Sequence, residues 1–361
     1  MAERIEPTML DKLLFAPVLA KVLVATILRA VTLPLTAFTG GSRANQPMKD
    51  IVFAALRTQL SSINAAQEQW TLATTTEKNY LDFAGKQKFQ PESTVLNSGL
   101  RLHWLGPKTS EKVIVFFHGG GYVVPCTDGH MKWLLHLQTE LSKKTSTSTS
   151  VIVVGYTLAP RGQFPKQLQQ AAETLAWLVG KQERRPRDII LMGDSAGGNM
   201  TLSLLSHLIH PHPDAIKITL TEPLATSILI SPWARFDSDY DSWKRNATSD
   251  MIPPAGTHRW SSLFLGPKPA NPYSEPWRAD EKWWTGLDKV TSDVLVWGGS
   301  AEVLVDSIEE VGGQLKSAHP RTEVVIQKGA SHEDFIVDVL LGYKHKAEGT
   351  KVIESWLSER I

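Results

Sequence analysis

Cysteine is nearly absent. Cys126 stands alone, so no disulfide can form within the chain. That fits a reducing compartment, or a fold that needs no covalent staple. Net charge is nearly absent too, at +1, which removes the electrostatic ground for a nucleic-acid partner. Also missing is an uninterrupted run of about 20 apolar residues, the usual signature of a spanning helix. The nearest approach is LLFAPVLAKVLVATILRAVTLPLTAF, residues 13–38, interrupted by Lys21 and Arg29 with Pro17 and Pro34 near its ends. Glu3 and Glu6 stand where a signal peptide would be basic. Three readings of this segment stay open: a lid helix packed on the body, a membrane-surface or anchoring helix with Lys21 and Arg29 snorkelling, and a cleaved signal. Asn246-Ala247-Thr248 has the form of a glycosylation sequon, but without a secretory signal it reads as a chance match. The expected setting is intracellular, either cytoplasmic or on an internal membrane.

What is present is ordinary globular material: 361 residues, 42% hydrophobic and 21% charged. From about residue 100, strand-like runs alternate with helix-like runs. The former include KVIVFFHG, SVIVVGYTLAP, DIILMG, TSILISPW, DVLVWGG and TEVVIQKG; QLQQAAETLAWLVGKQ and SIEEVGGQLKSA are among the latter. Such alternation implies an α/β fold with a mostly parallel sheet and helices on both faces. Two stretches break the pattern, 1–95 and the Trp-, Pro- and Asp-rich 234–288. The expected organisation is an N-terminal apolar helix and cap region over 1–95 and a catalytic domain over 96–361, with a cap insert at about 234–288. KKTSTSTS, residues 143–150, is a polar loop with no catalytic feature.

Within MGDSAGGNM, Gly193 and Gly197 lie two residues either side of Ser195. An apolar strand-like run precedes the serine. After it Met200, Leu204, Leu205, Leu208 and Ile209 recur at roughly helical spacing. Strand, Gly-x-Ser-x-Gly, helix is the arrangement of a nucleophile elbow, where any side chain two residues from the serine would crowd the turn. The free N–H groups of the helix start favour negative charge there. Asp194 is turned away from the nucleophile by such an elbow and is assigned a structural hydrogen-bonding role.

A serine hydroxyl needs a base, a group to orient the base, and donors for the oxyanion. FFHGGGYVVP, residues 116–125, follows an apolar strand-like run. Its consecutive glycines allow an unusual loop path with bare N–H groups. Gly120 and Gly121, with Ala196 after the nucleophile, are the expected oxyanion donors. Gly119 shapes the loop and His118 braces it by hydrogen bonds.

His118-Gly119-Gly120-Gly121-Tyr122, Gly193-Asp194-Ser195-Ala196-Gly197-Gly198 and YTLAPRGQFPKQLQQA (156–171) together resemble the hormone-sensitive-lipase-like branch of the α/β-hydrolases. The resemblance covers roughly residues 100–360 and implies that fold and a serine-dependent carboxylic ester hydrolase. SPW (231–233) and WW (283–284) are similar to fungal members, some of which act on acetylated sterols or secondary metabolites. A lipophilic small-molecule ester is the expected substrate. No metal and no organic cofactor is called for.

The α/β-hydrolase order is Ser, acid, His. His332, in KGASHEDF after a strand-like run, is the expected base, and Phe335 close behind it matches the branch. His130 comes too early and His345 lies among lysines. The acid is open between Glu302 and Asp306. Aligned with the branch's Asp-Pro-Leu-x-Asp, Glu302 takes the orienting place, Val303 stands where proline is usual, and Asp306 is the second acid. Trp233, Trp283 and Trp284 are candidates to line the substrate pocket. An alternative of different class, a non-hydrolytic step such as cyclisation, elimination or acyl transfer, would use the same pocket. Oligomeric state is not legible.

Overall fold

The computed structural model describes residues 6–39, 42–71 and 75–361. Its centre is an eight-stranded sheet. The strands are β1 (Glu92–Val95), β2 (Arg101–Leu105), β3 (Lys112–Phe117), β4 (Thr149–Gly155), β5 (Ile189–Asp194), β6 (Thr226–Ile230), β7 (Val294–Gly299) and β8 (Thr322–Gln327). Their spatial order is β1-β2-β4-β3-β5-β6-β7-β8. β1 and β2 run antiparallel to their neighbours, and the rest are parallel. This is the α/β-hydrolase sheet that the motifs imply.

Side chains alternate across a strand, and this sheet uses both faces. Val113, Val115, Phe117, Leu191, Leu229 and Val296 point to one core. That core is closed by α6 (Lys166–Ala176), α7 (Ala196–Ile209) and α10 (Val305–Ala318). Ile114, Phe116, Ile190, Met192, Ile230 and Leu295 point to the other. There the cover is α4 (Thr76–Gln87), α5 (Asp128–Thr145), α11 (Asp334–Leu340) and α12 (Glu348–Ser358). Runs apolar on every residue, such as VIVV in β4, are what a strand buried on both faces requires.

The remaining helices are α1 (Met9–Thr39), α2 (Pro47–Ser62), α3 (Ala65–Thr71), α8 (Asp241–Arg245) and α9 (Pro254–Leu265). The last two belong to the insert at 234–288. β1 is part of the sheet, and Tyr80 and Phe83 of α4 are fully buried in the second core. α4 and β1 therefore pack with the sheet although both lie before residue 96.

Register brings the functional loops together. Phe117 of β3 pairs with Gly193 of β5, so the glycine loop and the serine turn leave adjacent strand ends. Asp194 pairs with Ile230, then Ile230 with Trp297. Gly299 pairs with Gln327, which sets the loop after β7 beside the loop after β8. Ligand sites of open parallel sheets lie at this carboxyl edge.

Candidate active site

Ser195 joins β5 to α7 with φ +49° and ψ −114°, outside the ordinary regions for a residue with a side chain. Ile230 O accepts its N–H at 2.9 Å, and its own carbonyl accepts from Trp233 N at 2.9 Å. The flanking glycines are steric necessities. A Cβ on Gly193 would lie 2.2 Å from Gly197 O, and one on Gly197 would lie 1.8 Å from Phe117 O.

In the glycine loop, Gly120 (φ +103°), Gly121 (φ +60°) and Tyr122 (φ +63°) are all left-handed. Among the described residues, no hydrogen bond engages the N–H groups of Gly120, Gly121 or Ala196. His118 is fully buried. Its Nδ1 meets Gly119 O at 2.8 Å and its Nε2 meets Thr76 Oγ1 at 3.2 Å. The ring stacks on Tyr156, whose hydroxyl donates to His118 O at 2.7 Å. Burial lowers His118 to about 3, so it stays a neutral brace.

The carboxyl of Asp194 is fully buried and engaged. Its Oδ1 accepts Gly119 N–H at 3.0 Å and its Oδ2 meets His130 Nε2 at 2.9 Å. It also hydrogen-bonds Glu333, and burial pushes it up to about 6. His130, Asp194 and Glu333 bring three ligand-type atoms within 4.8 Å of one another. His130 Nε2 and both Asp194 oxygens are engaged by hydrogen bonds, so the group closes as a network.

His332 lies on the loop between β8 and α11. Its Nδ1 is 2.8 Å from Glu302 Oε2. Glu302 is fully buried; its Oε1 accepts from Gly299 N at 2.5 Å and from Ser231 Oγ at 3.0 Å. Burial alone would lower His332. The hydrogen bond to Glu302, with the charges of Glu333 and Asp250, outweighs it and raises His332 to about 9. Asp306 lies elsewhere. It accepts Ser242 N–H at 2.7 Å at the start of α8 and pairs with Arg245 at 2.7 Å. The structure thus brings His332 to Glu302 and leaves Asp306 in a surface pair.

The candidate tryptophans separate. Trp233 is tied to the Ser195 carbonyl. Trp283 donates to Ser206 Oγ at 3.1 Å, toward the far end of α7, and Trp284 is fully buried just after it. Neither of the latter pair faces the serine turn. The wall by the glycine loop is instead Trp260 of α9, so close that a Cβ on Gly121 would lie 2.4 Å from its ring.

Several residues at the site carry no local motif. Asp250 accepts the N–H groups of Val303 and Met251, each at 2.6 Å, beside Glu302; burial raises it to about 6. Glu68 of α3 accepts from Trp260 Nε1 at 3.0 Å and pairs with Arg259 at 2.9 Å. Gln69 donates to Val123 O at 3.0 Å and to Ala159 O at 3.2 Å, holding the end of the glycine loop. Fully buried Lys49 of α2 pairs with Asp334 at 2.8 Å and Asp338 at 2.6 Å, just past His332. Glu333 did have a visible signal, adjacent to the histidine in SHEDF.

Several curated relatives are similar in part. Probable carboxylesterase 6 of Arabidopsis thaliana is 28% identical over 233 residues, 61% of this chain and 63% of that one. Arylacetamide deacetylase of Rattus norvegicus is 28% identical over 43% of this chain and 47% of its own. Steryl acetyl hydrolase 1 of Saccharomyces cerevisiae is 26% identical over 44% and 33%. The chain spans less than two thirds of the length of each. Among solved structures, an esterase from the bacterial hormone-sensitive lipase family superposes with TM-score 0.65 at 22% identity, covering 88% of this chain and 99% of that one. Carboxyl esterase 2 of the fungus Tuber melanosporum gives 0.60 at 21%, covering 75% and 86%. Residues 114–336, more than half of the chain, match the family model described as alpha/beta hydrolase fold, and the chain belongs to that family.

Proposed function

We propose that the protein is a serine-dependent carboxylic ester hydrolase acting on a lipophilic small-molecule ester. The observation that carries this reading is the His332–Glu302 contact at the same sheet edge as a strained Ser195 turn and a loop with free N–H groups. The names of the relatives, among them a carboxylesterase, a deacetylase and a steryl acetyl hydrolase, point the same way.

Ser195 Oγ attacks the ester carbonyl carbon while its proton passes to His332 Nε2. Glu302 holds Nδ1–H, fixing the tautomer and stabilising the imidazolium. The carbonyl oxygen becomes an oxyanion received by the N–H groups of Gly120, Gly121 and Ala196. Each such donor is worth about 10²–10³ in rate. Nε2 returns the proton to the departing alkoxide, and an acyl-Ser195 remains. Water, deprotonated by His332, then releases the acid and restores the serine.

A lipophilic substrate accords with α1. Its span Met9–Thr36 is long and apolar enough to cross a membrane by length and composition, with mean hydropathy 2.0. Leu10, Leu13, Leu23, Leu28 and Val31 are more than half exposed, while Val18 is buried. We read this face as a membrane-surface contact. Arg29, paired with Asp50 of α2, ties the helix to its neighbour α2.

The test is a panel of short- and long-acyl p-nitrophenyl esters together with a fluorophosphonate probe. Ser195 is expected to be the labelled residue, and Ser195→Ala to abolish turnover. Turnover that survives Ser195→Ala would favour a non-hydrolytic use of the pocket.

A further inference from the structure

Glu333 follows the histidine directly and takes no part in the steps above. Its backbone is left-handed, φ +52°, a conformation uncommon for a side-chain-bearing residue. The turn folds its carboxyl back over the neighbouring ring. Oε1 lies 3.6 Å from His332 Nε2, the nitrogen opposite the one held by Glu302. The same carboxyl hydrogen-bonds Asp194. Gly119 leaves the space: a Cβ there would lie 2.5 Å from Glu333 Oε1 and 2.3 Å from Asp194 Oδ2. The imidazole is bracketed by two buried carboxyls, one at each nitrogen.

We propose that Glu333 is a positioning residue of this reaction: its carboxylate beside Nε2 holds the proton on His332 and thereby governs the pH at which the base is free for Ser195. The proposal rests on the roles given above to Ser195 and His332. Glu333 is faced by Asp194 from the end of β5, by His130 from α5 and by His332 from its own loop; Cys126 and Tyr156 feel its charge more weakly. Around His332 stand Glu302 after β7, Asp250 from the insert, Glu333 and Asp194. Burial and the charge of Asp194 push Glu333 up to about 8, next to His332 at about 9. Two groups so close in space and affinity titrate as a pair. Once the pair has lost one proton, the charge left on Glu333, 3.6 Å from Nε2, favours the proton that remains on the imidazole. While it stays on Nε2, opposite a charged Glu333, Ser195 has no acceptor.

Glu333→Gln separates the two functions of the side chain. The amide still donates to Asp194, but it cannot ionise. The readout is the rate of fluorophosphonate reaction with Ser195 as a function of pH, which follows the base without requiring deacylation. An opposite charge at such range shifts a pKa by about one unit or more. The ascending limb of Glu333→Gln is therefore expected about one unit below wild type, and labelling at neutral pH up to about tenfold faster. A limb that stays in place or moves up overturns the proposal. Wild-type protein that does not label at all overturns the nucleophile assignment with it. In wild-type protein, a ¹⁵N NMR titration of His332 should show two inflections; a single one also overturns the proposal.

Discussion

Glu302 and Asp306 are four residues apart, yet they differ in what each carboxylate touches. Glu302 has a ring nitrogen, a backbone N–H and a hydroxyl. Asp306 has the start of a short helix and an exposed arginine. Glu302→Gln is expected to lower kcat by about 10⁴-fold, through the wrong histidine tautomer and the lost charge. Asp306→Asn removes a contact of helix-terminus type, typically about 1 kcal/mol or less, and is expected to leave kcat near wild type. Steady-state kinetics on both, with thermal melts to establish folding, checks the pair; a more damaging Asp306→Asn would reverse the assignment.

The shifted groups around the histidine also set opposing pH trends. His332 and Glu333 have folded-state pKa values above their unfolded ones. The folded protein therefore holds protons that the unfolded chain has already released, and stability falls as pH rises through about 8 and about 9. His118 and His103, lowered by burial to about 3 and about 4, change stability only below about 6.5. The proposed mechanism needs His332 neutral, so its pH trend runs the other way. Between pH 7 and about 9, kcat/KM should climb while Tm drops. Differential scanning fluorimetry beside an ester assay measures both, and a Tm that rises over this interval would contradict the raised proton affinity of these two groups.

Among the elements, α2 and α3 do more than cover. Lys49 closes a pair of carboxylates on α11, and Gln69 and Glu68 reach the glycine loop and its Trp260 wall. Lys49→Met would leave Asp334 and Asp338 buried without their cation. Breaking such a pair costs about 3–5 kcal/mol, and a clear drop in denaturation midpoint is expected. Gln69→Ala should lower kcat more than it changes KM, because it frees carbonyls at the end of the donor loop and leaves the substrate walls in place. An unchanged kcat would mean the loop holds its shape without α3.

The same elements show what could be read beforehand. Ser195 and the glycine loop announce themselves because tight turns admit few residues, and the clashes at Gly193 and Gly197 give the reason. β2 and β8 read as mixed strand-like runs, and the five central parallel strands are plain as apolar runs. β1 is not, since Glu92-Ser93-Thr94-Val95 is short and largely exposed at the sheet edge. Asp250 and Lys49 leave no local trace, because their partners lie 53 and 285 residues away. Trp283 and Trp284 are uninformative as a motif: composition says that tryptophans get buried, not against which end of α7.

At the scale of the whole molecule, α1 stands apart, with apolar side chains facing out along its length. Removal of residues 1–40 is expected to abolish flotation with lipid vesicles while a small soluble ester is still turned over. Equal loss of soluble and lipophilic substrates by a folded truncation would assign α1 to the support of the body instead.

The Lys49–Asp334 pair also has a meaning in time. The chain is made from its N-terminus, at about 5–20 residues per second, and the partners are 285 residues apart. Lys49 therefore waits on the order of 15 s to a minute for its first carboxylate. During that interval the apolar helix before it and the unfinished histidine loop after it cannot yet be joined. A ribosome-stalled chain that has not yet released α11 should hold no probe-reactive serine, and release of that helix together with the histidine loop should switch the site on.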